Sequence, residues 1–386
     1  MAHRETFRAA ALLIVAALIL GGCAPAAPAE VAEPGGAVEE PAAEQPAAEE
    51  PAAEAPAEEE PAAEAPAAER KVVTFIFTQE PDTLNPYYTN MWFSQITQAL
   101  WMQWPWQYDE NNESYPVMLT EMPSVENGGI SEDGLTITLK LRDDLVWSDG
   151  TPLTSADFLF THEMIMDPSN TVASTYPNDA LTSLEAPDDQ TVVMTFAEPF
   201  VAWEATFWHG LLPQHILQPV YDAEGTIDSA EWNLNPTVGA GPFRLDAWES
   251  GSFARFVRNE NYWGEPPLLD EVFIRFVPDD AAQINALIAG DGHLGTFFAY
   301  SDVPTLEDAG IEVIPVQSGY NEGWYMLIDE EIGHPALLDV NVRQAIAMGF
   351  DRISLVRDLL LGLTEPAVTY WDNTPYADPS LEPYPY

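Results

Sequence analysis

Apolar and polar residues alternate most cleanly in residues 136–141 (Thr-Ile-Thr-Leu-Lys-Leu) and 191–196 (Thr-Val-Val-Met-Thr-Phe). A period of two marks strands buried on one face. Residues 71–78 form a β-rich run with partial alternation, broken by Pro81 and Pro86. Residues 253–258, 271–277, 311–316 and 324–328 also read as strands. Helical spacing appears in residues 94–102, in 281–289 (ended by Gly290), in 340–348 and in 353–361. Asp149-Gly150-Thr151-Pro152 makes a turn, after which Thr154 or Ser155 caps a helix over residues 156–166. A hydroxyl there accepts from an N–H that the helix start leaves unpaired. Strands and helices mix throughout, which predicts an α/β or α+β chain with several sheets.

The start of the chain has a different pattern. After His3, Arg4 and Arg8, residues 9–20 form an unbroken apolar run. It falls short of the ~20 residues that a spanning helix needs, so it reads as a secretory signal. It ends in Leu20-Gly21-Gly22-Cys23, which resembles the bacterial lipoprotein processing box. Small residues let the peptide enter a peptidase, and the Cys23 thiol accepts the diacylglyceryl group. Residues 24–69 are almost wholly Ala, Pro and Glu. Proline interrupts helix and the glutamates repel one another, which predicts an extended, disordered tether. At ~3.1 Å per residue its reach is up to about 140 Å. An anchor plus a long spacer points to a receptor working beside a membrane.

Composition narrows the classes further. The 386 residues leave room for two or three domains. The net charge of −50 repels phosphate backbones, so nucleic acid is excluded as a partner. Lysine occurs only at Lys71 and Lys140, and the acidity extends well beyond the tether. It reads first as a solvated surface, with a salty habitat or a preference for cationic ligands as alternatives. Cys23 is the single cysteine, which rules out an internal disulfide and cysteine-based metal sites. Gly239-Ala240-Gly241-Pro242 lacks the Lys-Ser/Thr of a phosphate loop, and Pro242 supplies no N–H. The six histidines are scattered; His209 and His215 do not match a zinc helix, and no Gly-x-Ser-x-Gly elbow occurs. The reading is therefore a non-enzyme with no catalytic residue, metal or cofactor. Abundant carboxylates keep a surface glycan or peptide hydrolase as a rival.

Seven segments in order carry a resemblance. They are residues 80–86 (Glu-Pro-Asp-Thr-Leu-Asn-Pro), 131–143, 147–157 from Trp147-Ser148-Asp149-Gly150, and 238–243 (Val-Gly-Ala-Gly-Pro-Phe). Residues 259–263 (Asn-Glu-Asn-Tyr-Trp), 339–346 and Asp351-Arg352 complete the set. Together they resemble extracellular solute-binding protein family 5, the oligopeptide, dipeptide and nickel-type receptors of ABC importers. Asn85, Ala240 and Gly290-Asp291-Gly292-His293 depart from the family's usual Asp, Thr and Gly-Glu-x-Asp. The resemblance implies a two-lobed periplasmic-binding-protein-like fold (type II) with an inserted subdomain in lobe 1. Residues 70–105 and 206–278 would form lobe 1, residues 106–205 the insert, and residues 279–386 a truncated, incomplete lobe 2. Ligand would be shut between the lobes of a monomer and passed to an ABC permease outside the cytoplasm. Candidate ligand-binding residues are Thr89, Asn90, Met91 and Trp92 on the early loop, then Tyr300, Tyr320, Trp324, Tyr325 and Trp371. For each, packing in the core or under a loop is the competing reading. A peptide or similar small polar solute is the first ligand class. Trp101, Trp104 and Trp106 crowd one segment, which keeps an oligosaccharide as the alternative. A non-transport surface sensor is a further rival.

Overall fold

In the computed structural model, residues 70–109, 113–296, 299–316, 322–372, 374 and 376–382 are described. The expected signal, Cys23 and the expected tether lie outside these residues, as does Tyr320. In chain order the elements are β1 (Val72–Phe77), α1 (Trp92–Trp101), β2 (Trp106–Tyr108), β3 (Ser114–Pro116) and β4 (Thr136–Lys140). Then come α2 (Ser155–Met166), β5 (Leu181–Asp188), β6 (Thr191–Phe196), α3 (Gln214–Glu224), β7 (Phe243–Glu249) and β8 (Phe253–Arg258). The series continues with β9 (Glu271–Phe276), α4 (Asp280–Ile288), β10 (Leu294–Gly295), α5 (Val303–Asp308) and α6 (Val340–Met348).

Five strands form one mixed sheet in the order β10-β1-β9-β8-β7. β1 runs parallel to both β9 and β10, while β7, β8 and β9 form an antiparallel meander. Alternation sets the inner face: Phe243, Leu245, Ala254, Phe256, Val272 and Ile274 are buried, and Arg244, Asp246 and Arg275 point to solvent. α1, α2 and α3 pack against that inner face through Phe93, Trp101, Phe160, Met164 and Leu217. A second core lies under the separate sheet β4-β6-β5, where Ile137, Leu139, Val192, Met194 and Phe196 meet Trp147, Phe158 and Phe207.

α2 joins the two cores, giving Phe158 to one and Phe160, Met164 and Ile165 to the other. Its start is held as the sequence predicts. The N–H of Thr154 donates to Asp157 Oδ2 at 2.9 Å, and Thr154 Oγ1 accepts from the Ala156 N–H at 3.3 Å. This reciprocal cap satisfies donors that a helix start otherwise leaves bare.

Three expected elements fail beyond residue 310. Residues 311–316 and 324–328 are irregular rather than strands. A strand is stable only when its N–H and C=O groups find a neighbouring ladder, and no described residue pairs with either run. The expected helix over 353–361 is one α-turn at Arg352–Ser354 followed by a π-turn at Leu355–Leu359. From residue 311 to 382 no described residue is fully buried, so no core is available there to hold a longer helix.

Candidate functional site

β1, β9 and β10 point their carboxyl ends in one direction. At that edge the chain leaves β1 into the loop that precedes α1. Proline breaks the strand there, and long-range hydrogen bonds then fix the loop's path. The N–H groups of Leu84 and Asn85 both donate to the Asn233 carbonyl, at 2.9 and 3.2 Å. Asn85 Nδ2 donates to Asn233 Oδ1 at 2.8 Å, and Asn85 Oδ1 accepts from the Tyr87 N–H at 3.0 Å. Asn233 Nδ2 in turn donates to the carbonyls of Ile227 and Asp228, at 2.8 and 3.1 Å. The Asn85 amide is therefore a neutral pin with both ends engaged. Tyr87 Oη donates to the Gly210 carbonyl at 2.6 Å, and burial drives its pKa far upward.

Of the four early-loop candidates, Thr89 is buried and its hydroxyl donates to Asp82, 2.7 and 3.0 Å from the two carboxylate oxygens. Ser94 Oγ donates to the same carboxylate at 2.8 Å, and the Met91 N–H donates to Thr89 Oγ1 at 2.9 Å. Thr89 thus shapes the loop from beneath. Met91 is half-buried against the first core, whereas Asn90 and Trp92 face outward. Next to this loop is an open groove of ≈ 720 Å³ bordered by Glu80, Asp82, Glu231, Leu234, Asp246 and Trp248. Glu80 is fixed there by Trp248 Nε1 at 2.8 Å and the Gly251 N–H at 2.7 Å.

The later candidates come from the chain after residue 299. Tyr300 opens a single 3₁₀ turn and is partly exposed. Trp324 packs on Phe350 with ring centroids 5.0 Å apart, and Tyr325 beside it is 77% exposed. Trp371 meets Tyr370 and Tyr376 edge-on at 5.5 and 5.9 Å. Trp324 and Trp371 are held by local contacts, and with Tyr325 they lie in a stretch, residues 311–382, where no described residue is buried.

The tryptophan-rich segment divides between the two cores. Trp101 is fully buried edge-on to Trp232 at 5.5 Å, and Trp106 is buried against Trp203 at 5.1 Å. Neither offers a ring face to a sugar; Trp104 alone is half-buried. The glycine motif lies at the same seam. A Cβ at Gly239 would come within 2.2 Å of the Trp101 carbonyl oxygen, and one at Gly241 within 2.6 Å of the Trp101 carbonyl carbon. The Gly241 N–H donates to the Trp101 carbonyl at 2.9 Å, and Asn259 Nδ2 donates to the Gly241 carbonyl at 2.8 Å. Ser148 ties in through its N–H to the Gly239 carbonyl at 2.8 Å, and Asn261 Nδ2 donates to the Ser148 carbonyl at 2.9 Å. Three of the segments that carry the resemblance therefore converge where the two cores meet. Their glycines serve close backbone approach and not phosphate binding. His293 is structural too: its ring Nδ1 accepts from the Thr74 N–H at 3.0 Å, and its backbone N–H donates to the Thr74 carbonyl at 2.8 Å. Among the described residues, no group of three or more His, Cys, Asp and Glu is placed to hold a metal ion.

Residues 116–386 match the model of the bacterial extracellular solute-binding proteins, family 5, middle region. The chain belongs to that family. A family 5 relative, a candidate ABC transporter peptide-binding protein of Brucella ovis, is 29% identical over 259 residues, 67% of this chain and 48% of its own length. The glutathione-binding protein GsiB of Escherichia coli is 27% identical over 309 residues, 79% of this chain and 57% of its own. The chain therefore spans about half the length of the curated relatives it matches. Among solved structures, NikZ of Campylobacter jejuni in complex with Ni(L-His) superposes with a TM-score of 0.68 at 22% identity, covering 82% of this chain and 60% of that one. AppA of Bacillus subtilis, in complex with a nonapeptide, superposes with a TM-score of 0.63 at 23% identity, covering 82% and 62%. At such identities the likeness is one of fold, the two-lobed type II binding-protein architecture of family 5.

Proposed function

We propose that this chain is the solute-capturing part of an ABC importer, working outside the cytoplasm and taking peptides or similar small polar ligands by lobe closure. Membership of family 5 carries the reading, and the ordered loop under Asn90 and Trp92 supports it as the ligand-facing segment. That loop is preorganised by Asp82, Asn85 and Asn233, so little ordering entropy remains to be lost when a ligand docks. Ligand touching both lobes stabilises the closed arrangement by differential affinity. In this reading lobe 1 comprises residues 70–105 and 206–278, residues 106–205 are an insert that contributes to both cores, and lobe 2 is drawn from residue 279, with α4 and β10 still packed on the sheet of β1. The names of the relatives, peptide-binding and glutathione-binding, support peptides as the ligand class. Burial of Trp101 and Trp106 leaves half-buried Trp104 as the one ring of the three that speaks for the oligosaccharide alternative. The protein works as a monomeric binder without catalytic residues.

Cys23 carries the lipid anchor, and the segment to residue 69 holds the binding unit at reach of its permease. Labelling with a radioactive fatty acid should mark the wild type and not Cys23→Ser; equal labelling of both refutes the anchor. For ligand class, the protein at its natural length is titrated with peptides of two to nine residues, with nickel–L-histidine and with maltotriose. Its 12 tryptophans should report saturable binding of peptides. Turnover of any peptide, or no response to any solute, overturns the reading.

A further inference from the structure

Positive charge is scarce in this chain and unevenly placed. Of the 13 lysines and arginines, Arg70, Lys71, Arg244, Arg255, Arg258 and Arg275 all lie on the five-stranded sheet or just before β1. Arg70, Arg244 and Arg258 border an open groove of ≈ 600 Å³ together with Ser148. Arg70 and Asp270, also in its lining, stand just before β1 and β9. The groove therefore opens at the amino ends of these parallel strands, whereas the loop of Asp82 and Thr89 leaves from their carboxyl ends.

Neighbouring carboxylates consume most of the charge. Arg258 Nη2 donates to Asp270 at 2.6 Å, Arg70 pairs with Glu271 at 3.2 Å, and Arg255 Nε donates to Asp246 at 2.8 Å. Arg244 is different: it is exposed on β7 and, among the described residues, has no ion pair or hydrogen bond. Its cross-strand neighbour in the groove is Val257, which offers the guanidinium no acceptor. Ser148 supplies a second donor. Its Oγ accepts from the Gly239 N–H at 3.1 Å, and its own proton goes to no described group. Glu260 borders the groove as well, but it is exposed, and water screens it.

We infer that this groove is a carboxylate-binding site, with Arg244 and Ser148 as its donors. A guanidinium presents parallel N–H groups that match the two oxygens of a carboxylate. A phosphate dianion would crowd two negative charges onto one free guanidinium, beside Asp246, Glu260 and Asp270. The carboxylate belongs to a free carboxylic acid or to an acidic segment of a partner protein; both present the same group, and the open groove admits either. The site is independent of the solute-binding reading and stands whatever the Asp82–Thr89 loop binds.

The natural-length protein, at low ionic strength, is titrated with a fluorescein-capped hexaglutamate amide and followed by anisotropy, with glutarate and inorganic phosphate as competitors. Saturable binding is expected, displaced by glutarate and not by equimolar phosphate. Arg244→Gln should weaken it about ten-fold, the effect of losing a charged hydrogen-bond donor, at an unchanged melting temperature because the side chain holds no partner in the fold. Arg275→Gln removes the same charge from the same sheet outside the groove and should bind as wild type does. Equal weakening in both variants reports general charge attraction and overturns the site. Displacement by phosphate as strong as that by glutarate overturns the choice of carboxylate. If the peptide does not bind, calorimetry with glutarate decides: heat that disappears in Arg244→Gln assigns the groove to free carboxylic acids, and no heat overturns it.

Discussion

Replacing Gly241 with alanine perturbs the seam between the two cores. A Cβ at this position would lie 2.6 Å from the Trp101 carbonyl carbon and 2.8 Å from the Met102 carbonyl oxygen. Both obstacles are backbone, so no side chain can swing aside; the start of β7 must separate from the end of α1. Overpacking of this kind costs about 1–3 kcal/mol. Separation also stretches the 2.9 Å bond from the Gly241 N–H to the Trp101 carbonyl, worth roughly 1 kcal/mol more in a buried setting. The sum is on the order of 2–4 kcal/mol, or roughly 5–10 °C in melting temperature for a domain of this size. Gly323→Ala is the control, because a Cβ there meets nothing within 4 Å, and it should stay within ~0.5 kcal/mol of wild type. Urea and thermal unfolding followed by circular dichroism measure both. If Gly241→Ala unfolds at the wild-type midpoint, the glycine motif is not there for close approach and the account of the seam is wrong.

Other expectations follow from single contacts. Asn233→Ala strands Asn85 Nδ2 and the carbonyls of Ile227 and Asp228; it should cost about 2–4 kcal/mol and speed amide exchange across residues 82–91, measured by mass spectrometry. Unchanged exchange there would show that the loop is held by something else. Burial raises the pKa of the Asp157 carboxyl, despite its bonds from the Thr154 and Gln214 N–H groups. The folded state thus keeps a proton that the unfolded chain sheds near pH 4, and stability is lost as pH rises from there through the raised value. The urea midpoint of Asp157→Asn, taken relative to wild type, should therefore climb between pH 4 and neutrality; a flat difference contradicts the shift. Asp82→Asn weakens the acceptor for Thr89 and Ser94. It should loosen the loop and weaken peptide binding several-fold with little change in melting temperature, because charge-assisted hydrogen bonds are about twice as strong as neutral ones.

The sequence was most legible where local pattern and tertiary packing agree. Residues 136–141 and 191–196 pair as β4 and β6 because their alternation matches one buried face, and the Thr154 cap starts α2 within one residue of expectation. α3 was hidden by Pro219 within it. β5 was hidden by Pro187 and by register shifts against β6, which blur the period of two. Residues 311–316 and 324–328 have β-forming composition, yet composition does not supply a partner edge. At the candidate site, the resemblance pointed to the early loop but could not tell that Thr89 is consumed by Asp82, seven residues earlier. Nor could pattern find Arg244 and Ser148, brought to one groove from separate parts of the chain. Buried tryptophans look the same in sequence as stacking ones; only the packing of Trp101 and Trp106 separates them.

The most direct measurement is small-angle scattering of the natural-length protein, with a calorimetric titration of the same sample by short peptides. Capture between hinged lobes predicts one-to-one binding and a smaller radius of gyration at saturation. An unchanged radius with no heat of binding across the peptide series, or cleaved peptide recovered from the cell, would contradict it.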